Sequence, residues 1–168
     1  DVVGIDCFTP YYPQAAKERN LDGLRDKPGF RLVAEDLRVA ELDQYLDGAD
    51  VIFHQAGQPG VRLSWSDGFT EYDSHNILAT QRLLEAATRV NVSRFVFASS
   101  SSVYGRLASF PTTESSLPAP HSPYGVTKLA AEHLCGLYAA NRGLSTVALR
   151  YFTVYGPRQR PDMAMHRL

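Results

Sequence analysis

The chain has 168 residues, 44% of them apolar and 21% charged, with a formal net charge of −1. That balance suits a soluble domain with one core and offers no cationic footprint for nucleic acid. No apolar run approaches the roughly 20 residues that a membrane span requires.

In chain order, short apolar runs alternate with helix-period segments, as a parallel sheet with crossover helices requires. Strands are predicted near Val2–Asp6, Arg31–Ala34, Val51–Gln55, Arg94–Ser99 and Thr146–Tyr151. Trp65 reads as core or loop packing. A helix is predicted from about Phe69 to Val90, with Leu78, Leu83, Leu84 and Ala87 on its inward stripe. The proline-rich stretch 111–123 reads as a loop crossing the top of a site. Ser122-Pro123 has the pattern of an N-cap followed by proline at the first helical position, so a second helix is predicted from 123 to about 141. The fold class that follows is α/β, a doubly wound parallel sheet.

Two cysteines, Cys7 and Cys135, form no ligand motif and read as reduced packing residues, in keeping with the cytoplasm. His54, His75, His121, His133 and His166 include no pair at zinc-helix spacing, so no metal site is expected.

Ser100 and the segment Tyr124-Gly-Val-Thr-Lys128 carry the chemistry. A phenol titrates near pH ~10 and is a poor base at neutrality, but a nearby ammonium favours the phenolate. Tyr124 and Lys128, four apart on the predicted helix, share a face near its start. Ser100 lies where the apolar run Arg94–Ala98 opens into four serines, the carboxyl end of a buried parallel strand, where open α/β sheets bind ligands. A hydroxyl, a phenol and an ammonium in one place suit moving a proton while a hydride moves. The tail arginines Arg150, Arg158, Arg160 and Arg167 read as phosphate or carboxylate contacts within a site.

Further motifs fall in a characteristic order: Val2-Val-Gly-Ile-Asp6, Glu35-Asp36-Leu37, Val51-Ile-Phe-His-Gln-Ala-Gly57, Asn76-Ile-Leu-Ala-Thr80, the serine run, Ser122-Pro-Tyr-Gly-Val-Thr-Lys128 and Leu149-Arg-Tyr-Phe-Thr-Val-Tyr-Gly-Pro157. Over nearly its whole length the chain resembles the extended short-chain dehydrogenase/reductases, specifically the nucleotide-sugar epimerase and dehydratase group. The resemblance implies a Rossmann-like fold, bound NAD, a UDP-sugar substrate and a homodimeric parent enzyme. It places Asp6 at the adenosine ribose, where a carboxylate favours NAD over NADP. Asp36 and Leu37 match positions that meet the adenine. Ala56 and Gly57 match small residues beside the cofactor, and Asn76 matches the family's helix asparagine. Ser100 matches the serine or threonine four residues before the tyrosine of the Val103-Tyr104-Gly105 element, and so completes a catalytic group with Tyr124 and Lys128. Ser101, Ser102, Thr153 and Arg160 are expected to line the sugar pocket.

By the same resemblance, Asp1 opens on the family's second strand and Leu168 falls near the start of its smaller substrate-closing region. Residues 1–168 are therefore expected to be a partial dinucleotide-binding domain, with 152–168 leading toward the substrate region. The absent strand is central in the doubly wound order, so its two neighbours are expected to expose unpaired apolar edges. The serine loop bears on the reaction. Dehydratases and decarboxylases of this group resemble Asp-Glu or Ser-Glu after the catalytic residue, whereas Ser101 and Ser102 offer no acid or base at neutral pH. The expectation is epimerisation at C4 of UDP-glucuronate or UDP-glucose through a 4-keto intermediate. The alternatives are a UDP-glucuronate decarboxylase, a 4,6-dehydratase, or a noncatalytic NAD-sensing protein of the same fold.

Overall fold

The computed structural model describes residues 1–106 and 110–163. His166 and Arg167 lie outside the described residues. The chain divides into two compact units, Leu37–Phe152 and a smaller one made of Asp1–Asp36 with the segment from Thr153 onward.

In the larger unit, β3 (Val51–His54), β4 (Arg94–Ser100) and β5 (Ser145–Tyr151) form a parallel sheet in the order β3-β4-β5. β4 is central and buried from Phe95 to Ser100, which is why it reads as a continuous apolar run rather than an alternating one. Phe95 and Phe97, two apart on one face, are fully enclosed with Leu83, Leu84, Ala86, Ala87, Ala131 and Cys135. Each such aromatic contributes about 2–3 kcal/mol of burial, so this strand anchors the unit.

A short helix, α2 (Asp43–Leu46), and two long helical stretches pack on that core. The first stretch begins as α3 (Phe69–Tyr72), widens into a π-helical segment (Asp73–Leu78) and continues as α4 (Ala79–Arg89). Leu83, Leu84 and Ala87 face inward as predicted, but Leu78 is 47% exposed. The wider winding of the π segment shifts the helical register ahead of α4, so a 3.6-residue stripe cannot be carried back to Leu78. The second stretch, α5 (Pro123–Arg142), is capped by Ser122, whose Oγ accepts from the Gly125 amide at 3.1 Å, and ends at Gly143 in the left-handed region at φ 71°.

In the smaller unit, β1 (Val2–Ile5) pairs in parallel with β2 (Phe30–Val33), and α1 (Gln14–Asn20) lies between them in sequence. Each unit has an open apolar strand. On β1, Val2 is 60% exposed; on β3, Val51 is 41% and Phe53 68% exposed. Trp65 is 56% exposed between two 3-10 turns, so of its two readings, core or loop, the loop holds. One sequence expectation fails locally: Cys7 is exposed, while Cys135 is buried as expected. Cys7 stands in the loop just after β1, whereas Cys135 lies on α5 within the main core.

Candidate functional site

The carboxyl ends of β3 and β4 meet the amino end of α5, and the larger unit concentrates its buried polar groups there. Pro123 starts α5 so that Tyr124 and Lys128 occupy successive turns of one face. The Lys128 ammonium is almost wholly buried. It donates to the Ala98 carbonyl at 3.0 Å and stands 5.0 Å over the Phe97 ring. Burial pushes its pKa down from 10.5 to about 8, because the charged form loses its water shell. The Tyr124 ring packs edge-on against Tyr72, with ring centroids 6.1 Å apart.

Ser100 ends β4. Its Oγ accepts from the Ser102 amide at 3.2 Å, which caps a short 3-10 turn over Ser101–Val103. Ser101 and Ser102 are half-buried on that turn. The hydroxyl run thus follows directly on the carbonyl that holds Lys128.

The loop after β3 approaches the same place. A Cβ on Gly57 would lie 2.7 Å from Asn76 Oδ1 and 3.3 Å from Lys128 Nζ, so only glycine leaves the room that is there. Ala56 beside it is exposed. Asn76, on the π segment, is 1% exposed and spends its amide on this loop. Its Oδ1 accepts from the Gln58 amide at 2.7 Å, and its Nδ2 donates to the Gln58 carbonyl at 3.1 Å and to Thr127 Oγ1 at 3.0 Å. Asn76 therefore ties the loop to α5; its spacing in the sequence gave no sign of that clamp. His54, at the end of β3, is wholly enclosed and held neutral: burial, then the charge of Lys128, bring its pKa down to about 3. Leu37 is half-buried and packs against the main core.

The smaller unit carries the remaining predicted residues. Asp6 is exposed, and its Oδ1 accepts from the Phe8 amide at 2.6 Å, closing the turn after β1. Asp36 is half-buried and Thr153 exposed. Arg160 pairs through Nε with Asp162 at 2.9 Å and stands 5.5 Å over the Tyr11 ring, while Tyr11 donates to the other oxygen of Asp162 at 3.1 Å. It borders a cavity of about 500 Å³ with Tyr12, Arg19, Tyr155 and Arg158. Arg150, in the larger unit, is no free anion contact. Glu132 binds it in a two-pronged pair, with Nη2 to Oε2 at 2.8 Å and Nε to Oε1 at 3.0 Å. Glu132 itself escaped sequence reasoning, although it lies four residues beyond Lys128 on the same face.

Parallel strands with crossover helices and polar groups gathered at the strand ends define a Rossmann-like α/β protein. The chain belongs to the NAD dependent epimerase/dehydratase family, whose model matches residues 1–168. It is 51% identical over 168 residues to an uncharacterized UDP-glucose epimerase of Bacillus subtilis, matching 100% of this chain and 53% of that protein. The crystal structure of UDP-glucuronic acid 4-epimerase from Bacillus cereus, in complex with UDP-glucuronic acid and NAD, superposes with a TM-score of 0.96 at 48% identity, covering 99% of this chain and 53% of that one. A dTDP-glucose 4,6-dehydratase from Streptomyces venezuelae with NAD bound gives 0.90 at 32% identity, covering 99% and 51%. The chain thus spans about half the length of these relatives.

Proposed function

We propose that this chain is the NAD-binding part of a UDP-sugar 4-epimerase, acting on UDP-glucuronate or UDP-glucose, and that Ser100, Tyr124 and Lys128 carry its chemistry. The observation that carries the reading is the buried Lys128 ammonium, one helical turn from Tyr124 and bonded to the strand that ends in Ser100. An enclosed cation on that face favours ionisation of the phenol, which then serves as base toward a sugar hydroxyl. NAD supplies the hydride acceptor when bound. Tyr124 takes the C4 hydroxyl proton, and Ser100 donates a hydrogen bond to the same oxygen. Lys128 holds the phenolate and has donors to spare for the nicotinamide ribose. Returning the proton to the ketone oxygen, with the hydride delivered to the opposite face of C4, inverts that centre and leaves the cofactor as it began.

Asp6, Asp36, Leu37, Ala56, Gly57 and Asn76 are proposed to bind the cofactor. Asn76 does so by holding the Gly57–Gln58 backbone in place rather than by a free amide. Ser101, Ser102, Thr153 and Arg160 are proposed for the sugar. Charge-assisted bonds from the Arg160 guanidinium suit a C5 carboxylate. The serine loop favours inversion over elimination or decarboxylation, because neither Ser101 nor Ser102 supplies a second acid or base. The relation to an uncharacterized UDP-glucose epimerase at 51% and a UDP-glucuronic acid 4-epimerase at 48% identity, against 32% for the dehydratase, supports the same choice. A homodimer acting in the cytoplasm fits this reading, and no helix among the described residues is long and apolar enough to cross a membrane.

The test is product analysis. The whole protein, incubated with NAD and either UDP-glucuronate or UDP-glucose, is expected to yield the C4 epimer alone. Release of carbon dioxide with a UDP-pentose would make it a decarboxylase, a 4-keto-6-deoxy sugar a dehydratase, and NAD binding without turnover a sensor.

A further inference from the structure

Tyr124, Lys128 and Glu132 form one stripe on α5, spaced four residues apart. Lys128 grips the carbonyl of Ala98, and Glu132 Oε1 accepts from the hydroxyl of Ser99. Two successive turns of the helix therefore hold two successive residues of β4, and the next residue is Ser100. Both bonds are enclosed, with Ser99 only 5% exposed.

Glu132 reaches a second strand as well. Ser99 and Arg150 are partners in the β4–β5 register, so one carboxylate spans both strands where they lie side by side. Arg150 meets it with two nitrogens, its guanidinium stands 4.7 Å over the Tyr104 ring, and Tyr104 in turn lies 6.4 Å from the Phe152 ring. The side chains of Arg150 and Glu132 are 20% and 10% exposed. A pair so enclosed gives little net stability over an apolar replacement, because desolvating two ions offsets their attraction. What it fixes is geometry: a planar fork on a carboxylate tolerates little rotation.

We propose that Glu132 is a positioning residue for the Tyr124, Lys128 and Ser100 group, setting the spacing between α5 and the carboxyl end of β4 while steadying Tyr104 and Phe152 through Arg150. This rests on the function proposed above. Glu132 touches none of the reacting groups. It acts by holding Ser99, so that Ser100 and the helix carrying the phenol keep one separation through the reaction. Misplacement of a reacting group by about an ångström costs up to about a hundredfold in rate, whereas binding determined elsewhere is unaffected.

The experiment compares kcat and KM for C4 inversion, counted per NAD-loaded folded site, in the whole protein and in Glu132→Ala, Glu132→Gln and Ser99→Ala. Glu132→Ala is expected to lower kcat about tenfold or more, with KM and the NAD dissociation constant within about twofold of the parent. Glu132→Gln keeps an oxygen for the Ser99 hydroxyl but sets an amide NH2 against Arg150, and restores only part of that loss. Ser99→Ala lowers kcat in the same direction, and combining it with Glu132→Ala adds less than the product of the two. Should Glu132→Ala not fold, Ser99→Ala and Glu132→Gln decide the matter. Ser99→Ala at the parent rate, or Glu132 variants that lose thermal stability while each folded site turns over normally, would overturn the positioning role alone. No inversion by the parent would overturn the proposed function and this inference with it.

Discussion

Replacing Lys128 by Met isolates the energetic cost of the buried ammonium. The methionine chain fills nearly the same volume and carries no charge. In the fold the lysine pKa lies at about 8, against 10.5 as its ordinary value. The folded state thus binds the proton less well than the unfolded chain, so charging Lys128 destabilises the fold and neutralising it relieves the strain. The penalty is fully present below about pH 8 and fades as pH rises from about 8 through about 10.5. At about 1.4 kcal/mol per pKa unit, raising the pH from about 7 to about 10 should recover about 2–3 kcal/mol in the parent protein and none of it in Lys128→Met. The assay is urea unfolding of both proteins at the two pH values, without added cofactor, taking the difference between them so that all other titrations cancel. Lys128→Met should be the more stable protein at pH 7, the gap should close on the alkaline side, and epimerase turnover should be lost throughout. A stability difference independent of pH would refute the argument, since Lys128 would then titrate alike in both states.

Two further outcomes follow from packing. Gly57→Ala places a Cβ 2.7 Å from Asn76 Oδ1, so the Asn76 clamp on Gln58 must give way; unfolding should show a loss of about 1–3 kcal/mol, and NAD titration a weaker complex. A chain of these 168 residues alone exposes Val51 and Phe53 on β3 and Val2 on β1. It should self-associate in sedimentation and bind NAD weakly, whereas a cooperative thermal transition with micromolar NAD affinity would contradict this.

Much of this was legible in the sequence because the signals were local. The apolar run of β4 and the serines that end it, the Ser122-Pro123 cap, and the four-residue spacing of Tyr124 and Lys128 each depend on a few neighbouring residues. All five strands fall within a residue or so of their expected limits. What escaped is nonlocal. The π segment Asp73–Leu78 breaks the inward stripe without any glycine or proline to mark it, so Leu78 was wrongly placed inside. The Asn76 clamp depends on a loop eighteen residues earlier and a threonine on another helix. Arg150 looked like a ligand contact until Glu132, on a different element, accounted for its charge. Pairings of that kind follow from packing, which no spacing rule encodes.

The central claim is that the Tyr124 phenol, acidified by Lys128, accepts a sugar proton while hydride leaves C4. The most direct test is Tyr124→Phe in the whole protein, following both C4 inversion and UDP-sugar binding with NAD present. Removing one oxygen should reduce inversion about a thousandfold or more while the dissociation constant of the UDP-sugar changes little. Inversion at the parent rate in Tyr124→Phe would contradict the account.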